Sequence, residues 1–142
     1  MTTILLVDDE NLVVRSLEKT LLRARFQTLT AGNCTDGWAT FQANAASIDL
    51  AILDCNMPDF DGFSNPEAGV DLMKRILTSK PDLPVVVLTA YDEVNKAKDA
   101  LQSGARAYFV KGREEGLIAL AREILSIASP IQNEPTNLAR SQ

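Results

Sequence analysis

The sequence contains no histidine, and this absence removes several classes of function. Without histidine the chain cannot form a Ser-His-Asp or Cys-His catalytic group, a His-containing zinc site or a phosphohistidine. Its two cysteines, Cys34 and Cys55, are too few for an all-thiolate metal site or a disulfide framework, which favours a reducing cytoplasm. A bound metal would therefore need oxygen ligands, which points to Mg²⁺, Ca²⁺ or Mn²⁺.

Long apolar runs and an excess of positive charge are also missing. Runs such as Ile4 to Val7 are far shorter than the roughly 20 residues of a transmembrane helix, so we expect no membrane span. No Lys or Arg precedes that run, so we expect no secretory signal. The net charge of −5 argues against nucleic-acid binding by this chain alone. With 142 residues, of which 46% are apolar and 23% charged, the composition is typical of one globular domain.

Short β-branched runs alternate with stretches of helical periodicity along the chain. This alternation predicts five strands and five helices, and it is typical of a parallel sheet with right-handed crossovers. We expect one domain over residues 1–128, followed by a tail or truncated linker over 129–142, where the periodicity stops. The predicted strands are 4–7, 27–31, 50–53, 85–88 and 107–110, and the predicted helices are about 11–25, a stretch after 33, 66–79, 94–103 and 114–128.

Polar side chains follow four of the predicted strands. Asp8–Asp9–Glu10 follows the first strand, Asp54 the third, Thr89 the fourth and Lys111 the fifth. Ligands of such sheets bind beyond the carboxyl ends of the strands, so we expect these groups to share one cavity. Crowded carboxylates repel each other, and Mg²⁺ relieves this repulsion while it recruits phosphate. Asp54 would then attack phosphorus, with Lys111 and Thr89 contacting the transferred oxygens.

These segments resemble the receiver domain of two-component response regulators, from Met1 to about Ala128. Each segment alone is common, but four in order, each behind a predicted strand, are typical of that family. The matching segments are LVDDE at 6–10, LDCNMPDFDG at 53–62, VLTA at 87–90 and GARAYFVK at 104–111. The resemblance implies an α/β fold, a single doubly wound (βα)5 three-layer sandwich with a flavodoxin-like, five-stranded parallel sheet in the order 2-1-3-4-5.

The resemblance also implies roles for residues at the expected cavity. Asp54 matches the residue that accepts a phosphoryl group from the phosphohistidine of a kinase. Asp9, Asp54 and the backbone carbonyl of Asn56 would bind Mg²⁺ directly, with Mn²⁺ as an alternative ion. Asp8 would contact the ion through a water, and Lys111 matches the family lysine.

Other matching positions concern the response to phosphorylation. Thr89 and Tyr108 match the family's switch pair, whose hydroxyl and ring move when the phosphoryl group arrives. Asn56 and Tyr91 match two variable positions that tune dephosphorylation. We expect the bulky Tyr91 to slow attack by water, in which case Tyr91→Ala would lose phosphate faster.

The implied function is a phosphorylation-dependent signalling switch that turns over no external substrate. Its upstream partner would be a sensor histidine kinase or a phosphotransfer protein. The readout would be binding at the face formed by the fourth helix, fifth strand and fifth helix. The partner there would be a downstream protein, a missing output domain or a second copy of the chain.

The sequence departs from the family pattern at two places. Gly112 stands where receivers usually carry proline after the lysine, which predicts a looser loop beside Lys111. Receivers usually pass from Asp-Gly directly into the third helix, whereas here residues 63–69 intervene. We expect an insertion of about seven residues that either extends the helix neutrally or alters which kinase docks.

Three other functions remain open at this point. A pseudo-receiver scaffold would share the fold but never accept phosphate, and the complete set of site residues argues against it. A Mg²⁺-dependent phosphatase of the dehalogenase type needs a second Asp two residues after the nucleophile, where this chain has Asn56. A flavodoxin-like electron carrier needs a phosphate-binding loop after the first strand, where the acidic Asp8–Asp9–Glu10 would repel flavin phosphate.

Overall fold

The computed structural model describes residues 1–90 and 93–128. Within these ranges strands and helices alternate as the sequence predicts, with one added pair of short strands. The elements are β1 (Thr3–Val7), α1 (Asn11–Arg23), β2 (Gln27–Ala31), α2 (Cys34–Asn44), β3 (Ile48–Asp54), β4 (Met57–Pro58), β5 (Ser64–Asn65), α3 (Ala68–Ser79), β6 (Val85–Thr89), α4 (Val94–Gln102), β7 (Ala107–Val110) and α5 (Glu114–Ala128).

Five strands form one parallel sheet in the order β2-β1-β3-β6-β7. This is the expected order 2-1-3-4-5, because the short strands β4 and β5 lie outside the sheet. The register pairs Val7 with Leu53, and Asp54 with Leu88. As a result, the residues that follow β1 lie at the same edge of the sheet as Asp54, the last residue of β3. The prediction of a doubly wound, flavodoxin-like sheet is confirmed.

Helices cover both faces of the sheet and create two apolar cores. Successive side chains of a strand point to opposite faces, so β1 sends Leu5 and Val7 into one core and Ile4 and Leu6 into the other. The first core contains side chains of α2, α3 and α4, and the second contains side chains of α1 and α5. Because both faces are covered, β1, β3 and β6 are apolar along nearly their whole length.

Residues 57–65 fold as a small antiparallel hairpin, which the sequence did not predict and whose second strand lies in the predicted insertion. β4 pairs with β5, so that Met57 lies opposite Asn65 and Pro58 opposite Ser64. We call residues 57–65 the inserted hairpin. The third helix begins at Ala68, two residues after the predicted start, so that the last two residues of the predicted insertion, Ala68 and Gly69, form its first two positions.

Gly69, and not Gly62, is the glycine at the entry to α3. The backbone N–H of Gly69 donates to the carbonyl oxygen of Cys55 at 3.0 Å, and a Cβ on Gly69 would lie 2.1 Å from the carbonyl oxygen of Asp54. Gly62 lies in the hairpin turn with a φ of +89°, and a Cβ there would meet nothing within 4 Å. Only glycine allows α3 to pack this closely against the end of β3.

Two expectations concern residues outside the described ranges. These are the role of Tyr91 and the tail or linker over 129–142. In the part of the chain that the structure describes, no helix has both the length and the apolarity of a membrane span.

Candidate functional site

A cavity of about 260 Å³ lies at the carboxyl edge of the sheet, where the sequence predicts the functional site. Residues from five parts of the chain meet there: the segment after β1, the end of β3 with the segment after it, β5, the segment after β6 and the segment after β7. Its lining residues are Asp9, Glu10, Asp54, Asn56, Ser64, Ala90, Glu93 and Lys111.

Three carboxylates and one ammonium form the charged centre of this site. Asp8, Glu10 and Asp54 each place one oxygen within 4.8 Å of the other two. Lys111 Nζ lies 2.9 Å from Asp8 Oδ2, 2.6 Å from Glu10 Oε1 and 3.1 Å from Asp54 Oδ2. The three carboxylates, which we call the acidic cluster, are thus held together by Lys111, which lies 57 residues beyond Asp54 in the sequence.

Burial makes this cluster electrostatically costly. Asp8 is 1% exposed and Asp54 is 4% exposed. Burial, together with the charge of Asp8, raises the pKa of Asp54 to about 7, although Lys111 opposes this shift. Burial also disfavours the charge of Lys111, but its hydrogen bonds to Glu10 and Asp8 outweigh burial and raise its pKa. Burial and the charge of Asp8 raise the pKa of Asp9 as well.

The acidic cluster fits a hard divalent cation with oxygen ligands. Asp8 Oδ1 accepts a hydrogen bond from the N–H of Glu10 at 2.9 Å. Asp8 Oδ2 is buried and, apart from the Lys111 ammonium at 2.9 Å, has no hydrogen-bond partner among the described residues. A buried carboxylate oxygen of this kind has capacity for a further cation, and the oxygen-only donor set is the type that Mg²⁺ prefers.

The two other expected metal-binding positions lie at the same cavity. The side chains of Asp9 and Asn56 are exposed, and both residues line the cavity. Among the described residues, the group of closely spaced carboxylate oxygens contains Glu10 in addition to Asp8 and Asp54, but not Asp9. The structure therefore brings every predicted acidic residue to one edge and places Asp9 at the rim.

The predicted switch residues lie beside the cavity and do not line it. Thr89 ends β6 with a fully buried side chain, whose hydroxyl lies 3.2 Å from the carbonyl oxygen of Ala90 and 3.1 Å from that of Glu93. Tyr108 is half-buried on β7. Both belong to neighbouring strands of the sheet, in which β6 pairs with β7.

Gly112 has a structural reason for replacing the usual proline. Its φ of +106° lies in the region that favours glycine and that proline cannot reach. Lys111 is nevertheless well placed, because its N–H donates to the carbonyl oxygen of Thr89 at 3.0 Å and its ammonium meets the acidic cluster. The backbone path after β7 therefore differs from one that carries proline, while the position of the lysine is fixed.

Sequence reasoning gave no individual role to two residues of the site. Glu10 was expected only as part of an acidic run, yet it makes the shortest contact to Lys111. The sequence feature that indicates Glu10 is the presence of a carboxylate two residues after Asp8. No sequence feature indicates that Ser64 belongs to the site, because its place in the cavity wall depends on the pairing of β4 with β5.

The chain matches the family described as "Response regulator receiver domain" over residues 4–122. It is 31% identical over 108 residues to "Two-component response regulator ORR24" of Oryza sativa subsp. indica, covering 76% of this chain and 16% of that protein. It is 33% identical over 109 residues to "DNA-binding transcriptional regulator NtrC" of Rhizobium meliloti (strain 1021), covering 77% of this chain and 21% of that protein. The chain thus spans about a sixth to a fifth of the length of these relatives.

Solved structures with the same fold cover nearly the whole chain. A response regulator receiver domain protein from Clostridium thermocellum has a TM-score of 0.82 at 26% identity, covering 92% of this chain and 99% of that one. NtrX from Brucella abortus has a TM-score of 0.81 at 23% identity, covering 100% and 32%. At 23% identity, the similarity to NtrX shows a shared fold and nothing more.

Proposed function

This chain belongs to the response regulator receiver domain family, and we propose that it acts as a phosphorylation-dependent switch with Asp54 as the phosphoacceptor. Receiver domains are signalling domains that bind Mg²⁺ at an acidic pocket. The observation that carries the proposal is the convergence of Asp8, Glu10 and Asp54 on Lys111 at the carboxyl edge of the sheet. The scaffold and phosphatase alternatives have no comparable support.

In the proposed reaction, a carboxylate oxygen of Asp54 attacks the phosphorus of a kinase phosphohistidine. The new O–P bond forms as the P–N bond breaks. The electron pair of the P–N bond stays on the kinase imidazole, whose other ring nitrogen keeps its proton, so that a neutral imidazole leaves. Bound Mg²⁺ supplies neutralising charge for the carboxylates and the phosphoryl oxygens. Lys111 already lies 3.1 Å from Asp54 Oδ2 and is placed to contact a phosphoryl oxygen there.

The proposed metal ligands follow from the family positions and the cavity. Asp9, Asp54 and the backbone carbonyl of Asn56 would hold Mg²⁺ or Mn²⁺ directly, and Asp8 would do so through a water. The buried Oδ2 of Asp8, which among the described residues contacts only the shared ammonium of Lys111, supports a cation in this cavity. Glu10, whose oxygen lies in the same cluster, is an additional candidate ligand of this chain.

The proposed readout is a change at the surface formed by α4, β7 and α5. A phosphoryl group on Asp54 adds about two negative charges, toward which Thr89 and Tyr108 would move. Asn56 and Tyr91 would set the rate of phosphate loss. Receiver domains interact with histidine kinases and output domains, and we propose both as partner types, together with a phosphotransfer protein, a downstream protein or a second copy of the chain.

We propose that residues 1–128 form the receiver unit and that 129–142 are a tail or linker. Both cysteines are free and buried, which is compatible with the proposed location in the reducing cytoplasm. We further propose that the chain turns over no external phosphate ester, because its readout is binding.

Incubation with acetyl phosphate, followed by intact mass measurement, tests the proposed function. In the presence of Mg²⁺ the chain should gain one phosphoryl group transiently, and it should gain none after chelation of Mg²⁺. Asp54→Asn should abolish uptake, while Asp49→Asn, a matched change at the other end of β3, should retain it. Uptake by Asp54→Asn would contradict the assignment, and sustained hydrolysis of general phosphate esters would favour the phosphatase.

A further inference from the structure

The inserted hairpin supplies one residue to the wall of the phosphorylation cavity. Ser64, on β5, lines the cavity together with Asp54 and Asn56. The Ser64 hydroxyl lies 3.3 Å from Asn56 Oδ1, to which it donates a hydrogen bond. Both side chains are exposed, so this hydrogen bond lies at the mouth of the cavity.

The hairpin turn is fixed by the carboxylate of Asp59. Asp59 Oδ1 accepts from the N–H groups of Asp61 and Phe63 at 2.9 and 3.1 Å, and Oδ2 accepts from Asn65 Nδ2 at 3.1 Å. These donors also lower the pKa of Asp59, with the Asn65 side chain as the main cause. Because several groups converge on one carboxylate, β5 is held in register with β4, and Ser64 is held opposite Pro58.

The hairpin is anchored at two points, in its turn and at its exit. Arg75 of α3 stacks over the ring of Phe60, with its guanidinium carbon 4.0 Å from the ring centroid. At the exit from β5, the N–H of Glu67 donates to Asn65 Oδ1 at 2.9 Å. Two residues later, Gly69 packs against the backbone of Asp54. The position of Ser64 is therefore tied to the phosphoacceptor itself.

We propose that Ser64 is a positioning residue that prolongs the lifetime of the phosphoryl group on Asp54. It does so by occupying Asn56 Oδ1 and by holding the Asn56 side chain across the cavity mouth. This inference rests on the proposed function, because it concerns the loss of phosphate from the same aspartate.

The chemistry of phosphate loss explains the expected direction. A water oxygen bonds to phosphorus, the bond from phosphorus to the Asp54 oxygen breaks, and the carboxylate is restored while a proton passes from the water to solvent. An attacking water is oriented by groups that accept its hydrogens. Asn56 Oδ1 is such an acceptor, and the hydrogen bond from Ser64 engages it. Removing the Ser64 hydroxyl frees this oxygen and opens the mouth of the cavity to water.

Decay of the phosphorylated chain tests this role. The chain is loaded with acetyl phosphate and Mg²⁺, the donor is removed, and the phosphorylated fraction is followed by intact mass. We expect Ser64→Ala to lose phosphate roughly two- to fivefold faster, the scale of one exposed neutral hydrogen bond. Ser64→Thr keeps the hydroxyl and should restore the slow rate. Ser47→Ala, which removes a hydroxyl bonded to the carbonyl oxygen of Asn44, should decay as the unmodified chain does.

A double-variant comparison separates positioning from a general structural effect. In an Asn56→Ala background, Ser64→Ala should cause no further acceleration, because the group that it positions is gone. Equal decay of Ser64→Ala and the unmodified chain, or equal acceleration in both backgrounds, would overturn the role of Ser64. If the unmodified chain takes up no phosphate at all, the proposed function itself fails.

Discussion

The two ends of the sheet use their charged side chains in opposite ways. At the amino end, Lys80 Nζ donates to the carbonyl oxygens of Ala45 and Ile48 at 2.6 and 2.7 Å. There, Asp49 Oδ2 accepts from the N–H of Thr3 at 2.9 Å. Each of these charges is matched to neutral backbone groups, so both help to complete the start of β3 and β1. We call this set the amino-end contacts.

At the carboxyl end the charged side chains contact mainly one another, and the negative charges outnumber the positive ones. Three carboxylates of the acidic cluster face the one ammonium of Lys111. One oxygen of Asp8 is buried and is paired, among the described residues, with the Lys111 ammonium alone. The amino-end contacts are therefore matched within the chain, whereas the acidic cluster together with Lys111 carries more negative than positive charge, which supports the proposed cation site. The proposed site thus lies where the folded chain leaves its charges unbalanced, a feature typical of functional sites.

The largest expected effect concerns the backbone that supports the acidic cluster. Gly69→Ala would place a Cβ 2.1 Å from the carbonyl oxygen of Asp54. The clash is with backbone, so no side-chain rotation relieves it, and α3 or the end of β3 must move. We expect a loss of about 3 kcal/mol in the free energy of unfolding, and reduced phosphate uptake. Denaturant unfolding followed by fluorescence of the single tryptophan measures the first effect.

Gly32→Ala is the matched control for this change. A Cβ on Gly32 would lie 3.9 Å from the carbonyl oxygen of Asp8, which is ordinary contact, and Gly32 needs no positive φ. We expect its free energy of unfolding to change by less than about 0.5 kcal/mol. Equal stabilities for the two variants would refute the assigned role of Gly69.

A second prediction compares the two lysines. Lys80→Met leaves the carbonyl oxygens of Ala45 and Ile48 without their donor, which should cost about 2 kcal/mol whether or not Mg²⁺ is present. Lys111→Met leaves the carboxylates of the acidic cluster without a counter-charge and should cost a similar amount without Mg²⁺. Mg²⁺ should recover part of the loss only in Lys111→Met. Thermal unfolding with and without Mg²⁺ measures both, and equal Mg²⁺ responses would contradict the contrast between the two ends.

The sequence predicted the sheet and its acidic edge because both depend on local patterns. Apolar runs such as Val85 to Leu88 indicated strands, and parallel order places the residues after β1 and β3 at one edge. Asp8, Asp54 and Lys111 could therefore be assigned to one cavity before any distance was known. The assignments depend on β1 and β6, which are buried along their whole length, so that their apolar sequences predict central positions in the sheet.

The inserted hairpin could not be predicted in the same way. Its strands are two residues each, too short for periodicity to register. It is held by hydrogen bonds to the carboxylate of Asp59 and by the stacking of Arg75 on Phe60, which depend on where individual side chains lie and not on a sequence pattern. The Asp61–Gly62 pair was also misleading, since Gly69 makes the close packing against Asp54. Consequently the role of Ser64 could be seen only once the hairpin was placed.

The smallest expected effect is a dependence of stability on pH that belongs to the carboxyl end alone. The pKa of Asp54 is raised from 3.8 to about 7 in the fold, mainly by burial. In the unfolded chain this carboxyl releases its proton near its ordinary pKa, whereas in the folded chain it retains the proton until about pH 7. Between these values the folded state binds more protons, so its stability falls as the pH rises.

Asp54→Asn removes this contribution to the pH dependence of stability, and Asp49→Asn is the matched control on the same strand. From about pH 5 to pH 7 without Mg²⁺, the unmodified chain should lose at most about 2 kcal/mol relative to Asp54→Asn. Asp49→Asn should follow the unmodified chain, because an amide oxygen still accepts the hydrogen bond from Thr3. Mg²⁺ should flatten the difference, since it favours the charged carboxylate. Parallel curves for Asp54→Asn and the unmodified chain would mean that Asp54 is already ionised at acidic pH, and the electrostatic imbalance at this edge would then be smaller than its burial implies.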